Sequence, residues 1–551
     1  MQVVQLLLQE SPEAWKRALV IAGIAGIANA AILGIINKGA SLASAHGGLV
    51  SLRLLLLFGF CLLTFYVGKR YALIQTSVVV EQMVKNTLLR VTDKIRNSDL
   101  QLVENLGRGE LFTRIAQDTS LISQSGLILV NAAQQSFVLI FCLFYIAWLS
   151  KLAFLATVVV IGIGTGIYSR HAQALGGLLH RLSRKEAELV DTLAHMVDGF
   201  KEIRLNQRKS DAVFKAFTET SEAVRDLKIN AQISFCVNIM FSDLCFYLLL
   251  SVVVFLLPRL VPTYGAVVLM TTAAILFIIG PLQLVVQAAP VFARASAALS
   301  SLHELEQRLD TAGAGTAAAR NSRKSFRAFE TITLDSACFT YEPMEGAGEA
   351  FSVGPLNLEI RRGETLFLVG GNGSGKTTVM KVLTGLYTPQ RGAMKVDKEH
   401  LQPHNIQAYR ELFSTVFVQF HLFDRLYGLE NVDEAQVMSV LEELQLVDKT
   451  GFENGRFTNL NLSTGQRKRL GLAVCLLENK EIIVFDEWAA DQDPHFRQYF
   501  YEVVLARLKA QGKTVLAVTH DDRYWHLADR VIKMEYGAIV EEVRNCEEQY
   551  A

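Results

Sequence analysis

The sequence predicts a two-part fold, an all-α transmembrane domain of six spans followed by an α/β domain with a largely parallel sheet. Three observations predict it. Half of the 551 residues are hydrophobic and mean hydropathy is +0.27, yet a fifth are charged, which joins a membrane portion to a water-exposed one. Apolar runs of bilayer-crossing length are confined to the first 290 residues. Beyond about residue 327 the runs shorten to strand length and alternate with helical patterns. A chain this long also exceeds a single core, which stops growing at roughly 250–300 residues.

The spans read at 18–36, 52–75, 127–149, 152–169, 233–257 and 265–289, each near the roughly 17–25 residues that a crossing helix needs. The first follows Lys16 and Arg17, is of spanning length and lacks a small-residue cleavage site, so it reads as a span and not a signal peptide. Two long charged stretches with helical periodicity separate spans two and three and spans four and five. They carry eight (69–126) and eleven (169–232) Lys and Arg, whereas the short loops carry Lys38 with Arg53, Lys151, and Arg259. By the positive-inside rule the long stretches, both termini and everything after residue 290 are cytoplasmic. The small, polar "TAGAGTAAARNSRKSF" reads as a linker. The expected domains are therefore 1–310 (transmembrane), 311–326 (linker) and 327–551 (α/β). The 54 basic residues balance 54 acidic ones, so nothing points to nucleic acid, and the seven cysteines stand singly with neither a metal spacing nor a disulfide framework.

The α/β half carries its chemistry in "LFLVGGNGSGKTTVMKVLTGL". A strand runs into Gly370, Gly371, Asn372, Gly373, Ser374, Gly375, Lys376 and Thr377, followed by Thr378 and a helix. This G-x-x-x-x-G-K-[ST] pattern is a phosphate loop: glycines let backbone N–H groups wrap phosphates, Lys376 places a cation on the β/γ oxygens, and Thr377 can ligate Mg²⁺. The expected ligand is ATP with Mg²⁺.

A second stretch, "IIVFDEWAADQDPHF", crowds Asp486, Glu487, Asp491 and Asp493 behind an apolar strand. A solvated acidic loop is one reading. Beside a phosphate loop the other is stronger, because a carboxylate at such a strand end helps hold Mg²⁺ while its neighbour positions the attacking water. Asp486 is the metal-side carboxylate, acting directly or through water, and Glu487 the candidate general base. Ser463 followed by Gln466 ahead of an apolar run is a capping box that opens a helix, and such a helix start also binds anions.

The string "NLNLSTGQRKRLGLAVCLLE" resembles the L-S-G-G-Q signature of ATP-binding-cassette (ABC) proteins, with Thr464 in place of the first Gly. The resemblance covers the whole second half. It implies that Ser463, Thr464, Gly465 and Gln466 bind the ATP held by a partner subunit. It implies further that Tyr341 in "ACFTYEP" stacks on adenine, that Gln419 links Mg²⁺ and the attacking water to the transmembrane helices, that His520 contacts the γ-phosphate and orients Glu487, and that Asp493 is the D-loop aspartate that communicates across the dimer. Ala490, Asp491 and Gln492 differ from the usual Ser-Ala-Leu, and Trp488 stands where most ABC exporters have proline.

In that family two such domains enclose each ATP, and this chain has one, so the resemblance implies a homodimer with two hydrolysing sites, a heterodimer being the alternative. Six spans, two long loops and a C-terminal ATPase look like an exporter half-transporter. The family's coupling helices would lie in "NLGRGELFTRIAQD" (105–118) and "HMVDGFKEIRLN" (195–206). The strings "DEWAADQDPHFRQYFY" and "FSVGPLNLEIRRGETLFLVGGNGSGKTT" look like the bacterial cyclic-peptide and peptide-siderophore exporters, the group of the pyoverdine, syringomycin and microcin J25 transporters. The implied function is ATP-driven export of a cyclic or modified peptide, or a peptide siderophore, across the bacterial inner membrane. Export or flipping of lipids or hydrophobic drugs, and a regulatory or channel-like membrane ATPase, are the alternatives.

Within the spans Asp243 is the most informative residue, since a carboxylate in hydrocarbon faces a cavity or a partner. With Asn238, Gln134 and Gln135 it either lines a polar translocation cavity or bonds helix to helix. Phe235, Phe241 and Phe246 offer apolar contacts to a peptide ring or simply pack, and Pro281 is expected to kink the last span.

Overall fold

The computed structural model describes residues 12–45, 52–260, 267–313, 325–341, 350–429 and 431–545. They form two compact units, Met1–Val91 with Gly109–Leu305, and Thr92–Arg108 with Glu306–Ala551. The described residues up to 313 are helical apart from short connections: α1 (Pro12–Ala45), α2 (Leu52–Asn97), α3 (Leu100–Phe112), α4 (Thr119–Leu149), α5 (Lys151–Asp198), α6 (Phe200–Leu205), α7 (Gln207–Ser251), α8 (Leu257–Leu260) and α9 (Val268–Gly313).

Among the described residues five helical stretches are long and apolar enough to cross a membrane, Trp15–Leu42, Leu52–Asn97, Gly109–Leu149, Gln207–Arg259 and Val268–Thr311. The expected fourth span, 152–169, lies on α5, whose apolar part Lys151–Ile167 is shorter. The outward face of α2 exposes Leu55, Leu56, Phe60 and Leu63, an arrangement suited to lipid and costly in water. Inside, small residues let helices approach: a Cβ on Gly126 of α4 would lie 2.5 Å from Val80 of α2. Pro281, the expected kink position, and Pro290 both lie inside α9, which is assigned as helix throughout. That helix continues to Gly313. Residues 311–313 of the expected linker are therefore helical, and 314–324 lie outside the described residues.

The 105–118 stretch is not one helix. α3 is interrupted at Gly107 (φ 70°, ψ 161°), and a π-helical turn, Thr113–Asp118, follows. The 195–206 stretch holds the short α6, entered through Gly199 and left through Asn206, whose side chain accepts from the Lys209 N–H at 3.1 Å.

In the second unit β1 (Thr331–Thr340), β2 (Ser352–Arg361), β4 (Arg391–Val396) and β5 (Glu399–His400) make an antiparallel sheet in the order β2-β1-β4-β5. The larger sheet has the order β12-β11-β3-β10-β9-β6, from β3 (Thr365–Gly370), β6 (Phe413–Val416), β9 (Ile482–Asp486), β10 (Thr514–Val518), β11 (Arg530–Glu535) and β12 (Ala538–Arg544). Its strands are parallel except for the β12 edge. A hairpin of β7 (Phe452–Glu453) and β8 (Arg456–Phe457) stands apart. Phe367, Val369, Ile483, Phe485, Val515 and Ala517 enter one core, while Leu366, Leu368, Ile482, Val484, Leu516 and Val518 enter the other. Both faces are buried, which is why these strands read as unbroken apolar runs without alternation. Helices α10 (Lys376–Leu383), α11 (Ile406–Arg410), α12 (Glu434–Glu443), α13 (Thr464–Glu478), α14 (Pro494–Tyr499) and α15 (Leu505–Ala510) complete the unit. The larger sheet is thus largely parallel, as the apolar runs indicate, and an additional antiparallel sheet stands beside it, built on β1 and β2, whose buried positions alternate with exposed ones.

Candidate functional site

β3, β10, β9 and β6 are neighbours and parallel, so their carboxyl ends open on one edge, where ligands of open α/β sheets bind. β3 delivers the loop Gly370–Thr377. Gly370 has φ +146°, and a Cβ there would lie 2.3 Å from the Met534 carbonyl oxygen, so only glycine fits. Gly375, at φ +98°, turns the chain into α10. Gly371, Asn372 and Gly373 are exposed, whereas Ser374, Lys376 and Thr378 are buried. The Lys376 ammonium donates to the carbonyls of Gly370 at 3.0 Å and Gly371 at 2.9 Å. Burial lowers its pKa below the usual lysine value, opposed by the carboxylates of Glu487 and Asp486.

β9 delivers Asp486 and Glu487. Asp486 is fully buried, and its Oδ2 accepts from the Thr377 hydroxyl at 3.0 Å. Burial raises its carboxyl above the usual range. The Thr377 bond opposes the rise, Glu487 adds to it, and the Val418 N–H and Lys376 oppose it. Its second oxygen, Oδ1, is buried without a hydrogen-bond partner. A buried carboxylate oxygen without a donor, next to a hydroxyl and a phosphate loop, fits a hard divalent cation such as Mg²⁺. Gln419, at the bend after β6, is itself exposed. β10 delivers His520, whose Nε2 lies 3.2 Å from Glu487 Oε1.

Tyr341 follows β1, half-buried, with its hydroxyl 3.0 Å from Thr378 Oγ1. It meets Phe339 edge-on at 5.2 Å and Tyr387 edge-on at 5.9 Å. Residues 342–349 beyond it lie outside the described residues. Tyr387 stacks on Phe339 at 4.5 Å and donates from its hydroxyl to Glu104 at 2.5 Å, and Lys381 donates to the same carboxylate at 2.9 Å. Burial, with Glu104 reinforcing it, pushes the Tyr387 phenol well above its usual value. Glu104 and Tyr387 are absent from the sequence-derived set. A Tyr two residues past Gly385 in "TGLYTPQRG" is the one signal that was available, and it reads equally as core.

Ser463 caps α13 with the expected box: Gln466 N–H donates to Ser463 Oγ at 3.4 Å, and Ser463 N–H donates to Gln466 Oε1 at 3.1 Å. Ser463 and Thr464 are exposed, Gly465 and Gln466 half-buried. The four open α13, where the Gly465 carbonyl accepts from Gln492 in the loop that follows β9. Asp493 caps α14, accepting from Phe496 N–H at 2.9 Å, and pairs with Arg469. The pair with Arg469 ties the start of α14 to α13.

In the helical unit Asp243 accepts from Gln283 Nε2 at 2.8 Å, joining α7 to α9. Asn238 is buried and hydrogen-bonded or otherwise partnered. Gln134 is buried with neither amide atom bonded, and Gln135 is half-buried. Phe246 is packed in the core, and Phe235 and Phe241 are half-buried.

Two family descriptions match the chain, "ABC transporter transmembrane region" over residues 18–282 and "ABC transporter" over residues 353–490. The chain is 34% identical over 465 residues to the ATP-binding protein SyrD of Pseudomonas syringae pv. syringae, covering 82% of this chain and 81% of SyrD. It is 23% identical over 459 residues to the ATP-dependent lipid A-core flippase of Idiomarina loihiensis, covering 79% and 75% respectively. The fold matches a bacterial Atm1-family ABC exporter with ATP bound at a TM-score of 0.78 and 18% identity, over 96% of this chain and 94% of that one.

Proposed function

The chain belongs to the ABC transporter family, and from that premise we propose a homodimer that hydrolyses ATP to export a cyclic or modified peptide, or a peptide siderophore, across the bacterial inner membrane. ATP-driven membrane transport is common to the family, and the exporter type is supported by the fold match to an ABC exporter; the cargo, the homodimer, the membrane and the residue roles are our reading. One observation carries the hydrolytic part. Four adjacent parallel strands release Gly370–Thr377, Asp486 with Glu487, His520 and Gln419 at one sheet edge.

In this reading adenine stacks on Tyr341 and the N–H groups of the phosphate loop cradle the phosphates. Lys376 exchanges the carbonyls of Gly370 and Gly371 for β/γ-phosphate oxygens. Thr377 and Asp486, with Gln419, hold Mg²⁺, which when bound offsets the phosphate charge. Glu487 takes a proton from the attacking water as its oxygen bonds to the γ-phosphorus and the bond to the β–γ bridging oxygen breaks, releasing ADP. His520 holds the Glu487 carboxylate in place through the 3.2 Å contact. Ser463, Thr464, Gly465 and Gln466 of a second copy cover the γ-phosphate with a helix N-terminus. Closure of two ATPase units on ATP then turns the transmembrane helices outward, and hydrolysis resets them.

The peptide cargo is supported by the likeness of "DEWAADQDPHFRQYFY" to the cyclic-peptide exporters and by the long match to SyrD. Lipid flipping is the second reading, favoured by the match to lipid A-core flippases. Two measurements separate them: the ATPase rate of the dimer in nanodiscs against a panel of cyclic peptides, peptide siderophores and lipids, and ATP-dependent uptake into inverted vesicles. Stimulation and uptake with the peptides is the expected result. Stimulation by lipid alone would replace the peptide reading, and uptake without hydrolysis would end the pumping scheme.

A further inference from the structure

Lys468 on α13 and Trp488 just after β9 are both buried, 3% and 1% exposed. Lys468 holds the peptide that joins Glu487 to Trp488, and Trp488 in turn holds the backbone of Lys468. Glu487 sits in the left-handed region at φ 48°, ψ 36°, where residues other than glycine are strained and persist only if their surroundings hold them. Its N–H donates to the Val518 carbonyl at 3.2 Å. Its carbonyl accepts from the Lys468 ammonium at 2.7 Å, and that ammonium also pairs with Asp491 Oδ2 at 2.6 Å. A buried ammonium must be compensated in this way, and its bond is of the stronger, charge-assisted kind.

Trp488 grips from the other side. Its ring stacks on Phe500 at 4.2 Å, and its Nε1–H donates to the Lys468 main-chain carbonyl at 2.8 Å. The start of α13 is dovetailed into the same loop: Gln492 Nε2 donates to the Gly465 carbonyl at 3.1 Å, and a Cβ on Gly465 would lie 2.7 Å from the Asp491 carbonyl oxygen. The strained peptide that bears Glu487 is thus fastened to the signature helix and not only to its own strand.

We propose that Lys468 is a positioning residue for ATP hydrolysis, holding the Glu487 peptide in its left-handed conformation and thereby tying the direction of that carboxylate to α13. The proposal rests on the reading of Glu487 as the base. It has a consequence for the dimer. The N-terminus of α13 covers the ATP of a second copy, so loading that ATP fixes the helix that fastens this chain's own Glu487, and each site prepares the other. The hydrolysis rate should then rise cooperatively with ATP.

The test uses the full-length protein in nanodiscs with Mg-ATP. Lys468→Met keeps the stem of the side chain and removes the ammonium. We expect ATP affinity to stay within about threefold and kcat to fall about tenfold or more, a factor of ten being about 1.4 kcal/mol in the barrier, with the Hill coefficient falling towards one. Lys468→Arg, which can still donate to the carbonyl, should recover most of kcat. A Lys468→Met variant that binds ATP and keeps its kcat overturns the proposal, as does a loss of affinity by the same factor as kcat. Should Lys468→Met not fold, Trp488→Phe keeps an aromatic ring beside Phe500 while giving up the second ring of the indole and its N–H bond to the Lys468 carbonyl, and should lower kcat several-fold at unchanged affinity; unchanged kcat there is equally fatal. Glu487→Gln run alongside separates the two ideas. If it still hydrolyses ATP, the base assignment falls and takes the proposal with it, whereas an inactive Glu487→Gln beside a fully active Lys468→Met overturns the proposal alone.

Discussion

His520 Nε2 stands 3.2 Å from Glu487 Oε1, and the pairing is a product of strand register. β10 and β9 run parallel with Val518 opposite Asp486, so the residues just past the two strand ends meet. The contact of the histidine with the carboxylate makes it a holder of the base in the proposed reaction.

Glu487→Gln should therefore abolish steady-state hydrolysis while ATP binding persists and a closed dimer accumulates. Loss of a general base costs about 10²–10⁴ in rate. His520→Ala should act on the same step, lowering kcat with a smaller change in ATP affinity, since it leaves Lys376 and the phosphate loop untouched. Single-turnover hydrolysis and crosslinking of the dimer measure both; undiminished turnover in Glu487→Gln contradicts its role.

Tyr341 offers two separable contacts, its ring and its hydroxyl. Tyr341→Ala should weaken ATP binding by about 1–3 kcal/mol if base stacking in nucleic-acid proteins is the guide. Tyr341→Phe loses only the bond to Thr378 Oγ1, a net of about 0.5–1.5 kcal/mol in stability, and should bind ATP nearly as well. Titration of a fluorescent ATP analogue distinguishes them, and equal affinities for all three proteins would remove Tyr341 from the adenine pocket.

How much of this was legible depends on whether a residue's role is local or assembled by the fold. The phosphate loop is a contiguous string whose glycines are required by backbone conformation, so Gly370 and Lys376 could be read directly. The Ser463–Gln466 box is equally local. Glu104 is different: 283 positions separate it from its partner Tyr387, and no periodicity reports a contact at that distance. Lys468 looks like one more cation in the polar start of a helix, and only the fold shows that it is buried against Glu487. Trp488 was visible as a departure from the resembling family, but the bond from its Nε1 to Lys468 was not. The short strands β4 and β5 escaped for a related reason, since they are antiparallel and only partly apolar.

Asp486 yields a prediction with a definite sign. Burial raises its carboxyl, so the folded chain binds this proton more readily than the unfolded one. The group therefore favours the fold in acid, and that contribution is lost as pH rises through the raised value; at neutral pH without a cation its charge is a cost. Asp486→Asn should raise the melting temperature of the nucleotide-free, Mg²⁺-free protein at neutral pH, by an amount that shrinks in mild acid. The same variant should lose most of the extra stability that Mg-ATP confers on the wild type. Thermal melts with and without Mg-ATP at two pH values check both, and a lower melting temperature in the ligand-free variant would show that the carboxylate is compensated by the protein alone.

Asp243 lies where charge is expensive, and its bond from Gln283 gives it a partner on another helix. An interhelical hydrogen bond in a membrane averages only about 0.6 kcal/mol, so stability is a poor reporter of its role. Asp243→Asn keeps an oxygen that can accept from Gln283 and removes the charge, whereas Asp243→Leu removes both. If the carboxylate faces cargo, Asp243→Asn should alter transport and substrate-stimulated ATPase more than basal ATPase, and Asp243→Leu should do no worse in transport than Asp243→Asn. If it only joins α7 to α9, Asp243→Asn should transport like the wild type and Asp243→Leu alone should be impaired. Vesicle uptake by the two variants, read beside their basal ATPase rates, assigns the residue to one role or the other.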